Sequence, residues 1–416
     1  MLLLELLAPV ALATLASTHE LAWPDYRGPT RDGHAAAARL PLEWSEKKNV
    51  RWKSEITGVG WSSPIVGEGR IWITTATEDG KLMKILGLDL ETGALLVQRV
   101  LFENEKPEEK NALNSYASPS CVLERGRVYV HFGTYGTACL DTQSGETIWE
   151  RRDINCDHME GPGSSPVLWN SLLIMNVDGG DVQYVTALDK KTGETRWKTD
   201  RTVKLDHLPA DLRKAYSTPI LIDVDGKPRL FSSGAEATVA YDPENGEPLW
   251  TVRHAGFSMS SRPVTDGEVV FLNTGFFKAG LVAVRIEGEG DVTDENVLWN
   301  FTRGVPLIPS PLLIDGRIYF TSNGGIATCL DTKTGESVWK ERIGGEHCAS
   351  PIYASGRIYF FDREGRTVVI APDDDYRVLA TNELDHGFMA SPAVVQDALI
   401  LRTKKHLYRI EQERSE

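Results

Sequence analysis

The sequence predicts an all-β protein, an eight-bladed β-propeller of four-stranded antiparallel blades. Three observations carry that prediction. Asp, Gly and Trp recur at positions i, i+4 and i+8, a polar residue followed by Pro recurs eight times, and the last repeat lacks a strand that the N-terminal region can supply. Repeats of this length mark a supersecondary unit that cannot bury its apolar face alone and stacks on its neighbours instead.

Four segments align on the Asp-Gly-Trp spacing: Asp141, Gly145 and Trp149; Asp189, Gly193 and Trp197; Asp242, Gly246 and Trp250; Asp331, Gly335 and Trp339. A weaker copy runs from Asp89 to Gly93 with Val97 in the Trp place. Another keeps Trp299 but exchanges the turn for the acidic insert Glu287 to Asn296. A Trp closing the fourth strand can wedge between neighbouring blades, and the Gly permits a left-handed turn residue. Trp52, Trp149, Trp197, Trp250, Trp299 and Trp339 are therefore read as structural, blade-docking residues.

Proline follows Ser63, Ser118, Ser165, Thr218, Arg262, Ser310, Ser350 and Ser391, at spacings of 55, 47, 53, 44, 48, 40 and 41 residues. After each proline the strands are legible. Leu312 to Ile314, the turn Asp315-Gly316 and Arg317 to Phe320 form a hairpin signature, because a type I′ turn needs positive φ at both central positions. A third strand ends at the Leu-Asp pair, and the Thr-Gly-Glu turn leads into the fourth. The eighth unit stops after three strands, and Val50-Arg51-Trp52-Lys53 is the missing fourth. The ring thus closes without a free edge. The expected organisation is a signal peptide over 1–16, an N-terminal extension over 17–49, one propeller over 50–410 and a tail over 411–416.

Composition narrows the partners. The 416 residues hold 59 acidic and 45 basic side chains, a net charge of −14, so no basic excess is available to displace counterions from a nucleic acid. The apolar run Leu2 to Ala16 is shorter than the roughly 20 residues of a transmembrane helix. Ala11-Leu12-Ala13 and Thr14-Leu15-Ala16 resemble small-x-small cleavage sites, although Glu5 stands where a signal peptide carries Lys or Arg. A periplasmic or extracellular monomer is expected. The five cysteines, Cys121, Cys139, Cys156, Cys329 and Cys348, are odd in number and unevenly spaced, which implies no disulfide framework.

The Ala-x-Asp-x-x-x-Gly-x-x-x-Trp repeat is similar to the tryptophan-docking motif of the pyrroloquinoline-quinone (PQQ) repeat propellers. That group holds the quinoprotein alcohol dehydrogenases and, more distantly, the outer-membrane assembly factor BamB. His131 to Asp141, Gly161 to Pro166, Lys214 to Pro219, Gly387 to Pro392 and the Trp23 to Pro29 segment resemble the PQQ-binding-like propellers of planctomycete bacteria. The resemblance implies that PQQ and calcium are possible cofactors. In the dehydrogenases it points to, Glu and Asn hold calcium beside the quinone, an Asp acts as base, a Trp forms the floor and adjacent cysteines form a disulfide. No two cysteines are adjacent here, and no Glu, Asn and Asp set can be matched position by position.

Topology assigns the inter-blade connectors and the second-to-third-strand loops to one face, and loops at one end of a rigid scaffold are the usual home of binding. His131, His158, His207, His254, His347, His386 and His406 all map there. The candidate binding face comprises Trp61, Tyr116, His158, His207, Tyr216, His254, Phe257, Arg262, His347 and Phe388, with Phe276 and Phe277 beside them. Asp157, His158, His347 and His386 are weak candidates for a zinc or copper site, against the plainer reading of ordinary loop hydrogen bonds. The loop Asp178-Gly179-Gly180-Asp181 reads as a tight turn before it reads as a cation loop. Serine-hydrolase and P-loop motifs are absent from the sequence, and the sequence identifies no catalytic residue. The functional expectation is an exported, non-catalytic binding or scaffold propeller with protein, peptide or glycan partners; the alternative is a PQQ- and calcium-dependent oxidoreductase.

Overall fold

Eight antiparallel sheets form the blades of a propeller in the computed structural model of the chain, which describes residues 22–36, 39–277 and 279–413. Blade 1 consists of Ile65–Gly67, Arg70–Ala76, Leu82–Asp89 and Leu95–Glu103, paired in that order. Blades 2 to 7 repeat this plan over 122–151, 167–200, 220–253, 264–301, 312–342 and 352–383. In blade 8, Ala393–Val395, Ala398–Arg402 and His406–Glu411 are completed by Val50–Glu55 on the outer edge. Closure thus uses the strand expected from sequence, with Trp52 paired to Arg409. Two blades gain a short extra strand: Gly290–Asp291, within the acidic insert, lies parallel to Pro248–Arg253, and His34–Ala35 lies parallel to Ile352–Ala354.

The expected hairpins form, with Asp315 and Gly316 at φ 46° and 75°. Each first strand is short and innermost, and the second and third strands are buried almost throughout, as in Leu172–Asp178. The apolar core lies between blades rather than within them. One cluster joins Ile65, Trp72 and Ile85 of blade 1 to Val128, Val130 and Leu140 of blade 2.

Docking between blades follows a single geometry. The indole N–H groups of Trp52, Trp149, Trp197, Trp250, Trp299 and Trp339 donate to the carbonyls of Leu90, Lys190, Pro243, Ile286, Thr332 and Asp373, each on the next blade, at 2.9–3.1 Å. The turn glycines Gly93, Gly193, Gly246 and Gly335 sit under the indoles of the preceding blade, where a Cβ would come within 2.5–2.7 Å of the ring. Positive φ is thus only half of what these positions require. In every blade the register also slips by one residue just beside the Trp position, as where Trp197 faces Ala187 but Thr195 faces Leu188. Such a bulge re-aims a side chain, here the docking residue, and the sequence reading did not foresee it.

One repeat position needs correction. Ser118-Pro119 was expected to match Ser63-Pro64, but in blade 2 the residue in register is Ser120, whose hydroxyl accepts the Ser63 N–H at 2.9 Å. Strand pairing decides this: Val122, not Ser120, opens the first strand of blade 2 and pairs with Tyr129.

Candidate binding site at the propeller axis

The residues two positions before each first strand meet around the axis as a chain of hydrogen bonds. The backbone N–H of Ser63, Ser120 and Ser165 donates to the hydroxyl of the next blade, on Ser120, Ser165 and Thr218, at 2.9–3.0 Å. The series resumes from Arg262 to Ser310, Ser350 and Ser391 at 2.8–2.9 Å. Small hydroxyl residues suit this place because eight strand starts converge there and each must satisfy a neighbour's amide.

Beneath this ring the N-terminal segment 22–35 crosses the axis and closes the channel. Trp23 exchanges backbone hydrogen bonds with Val66, the Pro24 carbonyl accepts from Leu123, and the Gly33 carbonyl accepts from Tyr353. Arg27 donates to the carbonyls of Pro311 and Pro351, and Arg31 to that of Leu168. With Arg262 of blade 5 bonded to Asp25 and to the Tyr26 carbonyl, one segment ties together blades 1, 2, 3, 5, 6 and 7. Asp25 is held between Arg262 at 3.2 Å and Arg31 at 2.9 Å. Arg262, the exception in the hydroxyl series, also donates to the carbonyls of Tyr26 and Pro219. Burial lowers the Arg262 guanidinium below its usual range and brings Arg27 down to about 10. The Tyr26 hydroxyl rises from the plug to Ser350 at 3.0 Å.

Above the ring a funnel of about 400 Å³ opens on the connector face, within the ordinary range for ligand pockets. Its floor carries Tyr26 with the hydroxyls of Ser63, Ser120, Ser165, Thr218 and Ser391, and its walls carry Trp61, Tyr216, Phe257, Phe276, Phe277, Ile308 and Met389. Trp61 is pinned by its indole N–H to the Leu113 carbonyl at 3.1 Å, and Tyr216 by its hydroxyl to the His158 carbonyl at 2.7 Å. Phe257 and Phe277 stack at 5.6 Å, and Phe277 is 78% exposed.

Of the ten residues placed on the binding face by sequence, Trp61, Tyr216 and Phe257 line this funnel. Arg262 and Phe388 are buried, the first under the floor and the second edge-on to Phe361. Tyr116 stands edge-on to Tyr135. His207 faces Glu236 at 3.1 Å, and His254 bonds the Thr238 hydroxyl. His158 accepts the Thr134 N–H on Nε2 and faces the Cys156 sulfur with Nδ1 at 3.4 Å, while burial lowers its pKa to about 4. His347 has carbonyl oxygens at both ring nitrogens, those of Phe361 and Gly344. His386 stacks on His406 at 5.3 Å, and the Asp157 carboxylate accepts the Met159 N–H. No group of three or more His, Cys, Asp or Glu among the described residues is arranged to hold a metal. Asp178 pairs with Arg201 and Asp181 accepts the Asp157 N–H, so both carboxylates of that loop serve the turn. The sequence reading missed Tyr26 and Lys214; no period marks either, since both belong to non-repeating segments.

The donor set of the funnel does not fit PQQ with calcium. A tricarboxylated quinone and its divalent ion need free cations and free carboxylates together. The wall's one lysine, Lys214, is buried and already bonded to Asp211, with Glu160 at 3.8 Å. Glu160 also accepts from Asn111 at 2.7 Å. Arg262 is spent on Asp25 and on carbonyls below the floor.

Comparison with known proteins fits the repeat and the fold. A family profile described as outer membrane protein assembly factor BamB matches residues 42–179 and 181–416. The BamB of Yersinia pestis is 23% identical over 267 residues, 52% of this chain and 66% of that protein. The BamB of Shewanella oneidensis is 20% identical over 305 residues, covering 69% and 72%. Among solved structures, BamB from Moraxella catarrhalis superposes with a TM-score of 0.59 at 12% identity, covering 86% of this chain and 99% of that one. Quinohemoprotein alcohol dehydrogenase from Comamonas testosteroni superposes with a TM-score of 0.70 at 11% identity, covering 94% and 81%. At such identities the structural likeness is one of fold.

Proposed function

The chain belongs to the PQQ-repeat propeller family described by the outer membrane protein assembly factor BamB, and on that premise we propose that it is a non-catalytic binding module whose axial funnel takes a segment of a partner protein. The observation that carries this reading is the funnel itself: a blind, aromatic-walled cavity on a rigid ring, sealed from below by the chain's own N-terminal segment. Aromatic side chains supply large contact area at low entropic cost, and clusters of them mark recognition surfaces. The carboxylates of the wall are occupied by Lys214 and Asn111, which leaves no free acid-base pair facing the cavity.

We place the protein outside the cytoplasm, in the periplasm or extracellular space. The BamB relatives support this, and no helix among the described residues is long and apolar enough to cross a membrane. The leader expected over 1–16 lies outside the described residues.

The test is fluorescence anisotropy with N-terminally labelled pentapeptides alternating phenylalanine and serine, carried out with both free and amidated C-termini. Saturable binding is expected, weakened at least tenfold by Phe277→Asp at the exposed rim. Equal binding by wild type and variant overturns the reading. A companion titration with PQQ and calcium at micromolar concentration is expected to leave the quinone absorption spectrum unchanged, and a stoichiometric bound chromophore would return the oxidoreductase alternative.

A further inference from the structure

The funnel floor has a polarity that its aromatic walls do not explain. Ser120, Ser165, Thr218 and Ser391 each use a lone pair to accept the backbone N–H of the preceding blade. A hydroxyl has a single proton, and none of these four donates it to an acceptor in the hydrogen-bond network described above. All four are at least nine-tenths buried, and what remains of their surface faces the cavity. The ring therefore holds four O–H groups, free of an acceptor within the protein, around one cavity. Below it lie two fully buried guanidinium groups, Arg27 and Arg262, against one buried carboxylate, Asp25, which the part-exposed Arg31 also pairs. The Nε atoms of Arg27 and Arg262 have no partner. Grouped O–H donors above buried guanidiniums suit a group that only accepts and also carries negative charge, which on a polypeptide is a carboxylate.

We propose that the funnel takes the C-terminal end of a peptide, its terminal carboxylate seated on the hydroxyl ring and its last apolar side chains against Trp61, Tyr216 and Phe257. This rests on the reading of the funnel as a protein-binding cavity. Capture of a terminal carboxylate by converging donors is an established mode of peptide recognition. A fatty acid carries the same head group, but Asn114, Ser258 and Ser260 interrupt the apolar wall. Asn114 is satisfied by Glu160, Pro162 and Ser118, and Ser260 bonds the Ser258 carbonyl, but the buried Ser258 hydroxyl has no such partner; it suits a main-chain amide, and a bare alkyl chain would leave it unpaired.

The experiment compares one labelled pentapeptide of alternating serine and phenylalanine, ending in phenylalanine, as its free acid and as its C-terminal amide. The acid is expected to bind about tenfold or more tightly, as loss of charge-assisted hydrogen bonds implies. Thr218→Val, which removes one hydroxyl at nearly constant volume, is expected to shrink that ratio, and the wild-type ratio stands without it. Equal affinity of acid and amide overturns the carboxylate assignment while leaving the protein-binding reading intact. Absence of saturable binding by either form removes both. Displacement of the acid peptide by an equal concentration of laurate overturns the peptide as occupant.

Discussion

Trp149 lies over Gly193 of the following blade, so that a Cβ on that glycine would stand 2.7 Å from the indole ring, and the indole N–H reaches the Lys190 carbonyl at 3.0 Å. The same contact recurs around the ring and across the closure, where Trp52 lies over Gly93. An indole-to-carbonyl bond thus closes six of the eight seams, and at four of them a turn glycine of the next blade lies under the ring.

Gly193→Ala tests the seam. Gly193 has φ +77° and no room for a methyl, whereas Gly126 has the same φ and nothing within 4 Å. Alanine at Gly126 is expected to cost about 1–2 kcal/mol from backbone strain alone. At Gly193 overpacking against Trp149 adds about 1–3 kcal/mol. Urea denaturation of the two variants measures the difference; equal midpoints would mean that the indole yields without cost.

Removing the charge that anchors the plug has a separate signature. Asp25 is buried between Arg31 and Arg262, and Asp25→Asn leaves two guanidiniums without their counter-charge. A loss of about 3 kcal/mol is expected, the lower end for breaking a buried pair. Hydrogen exchange should quicken selectively in 23–34, because those amides depend on the segment staying docked. Unchanged exchange there would show that Trp23 and Arg27 hold the plug unaided.

Acidification is expected to destabilise the protein well above the range of carboxylate protonation. Burial lowers His131 to about 3 and His158 to about 4, against 6.5 for the unperturbed group. Below pH 6.5 the unfolded chain takes up these protons and the folded chain does not, so stability falls as pH falls from 6.5 towards 4. At pH 5 each histidine costs about 2 kcal/mol. His131→Gln should therefore flatten the change in unfolding free energy between pH 7 and 5 by that amount, and parallel profiles for variant and wild type would refute the assignment.

Much of the architecture was legible because it is written in local periods. Asp-Gly turns, the Thr-Gly-Glu step and the Trp eight residues after the Asp each describe a contact within one blade or to the next. The candidate site was legible only in part. Trp61, Tyr216 and Phe257 line the funnel as residues of connectors, whereas Phe388, on an equivalent connector, turns inward against Phe361. Nothing in local composition separates these two outcomes, because both are aromatic residues in short loops beside a strand start.

By itself, then, the sequence determined the number of blades, the closing strand and the face that carries the connectors, since each follows from contacts that recur with the repeat. Tertiary structure alone decided that the axis is plugged. Asp25 meets Arg262 across 237 residues and Tyr26 meets Ser350 across 324, pairings with no period to announce them. It also decided that Ser120 rather than Ser118 joins the hydroxyl ring, because strand pairing and not the Ser-Pro motif sets the register there. Repeats reveal contacts between equivalent residues; a segment that occurs once and touches six blades becomes visible only when the ring has closed around it.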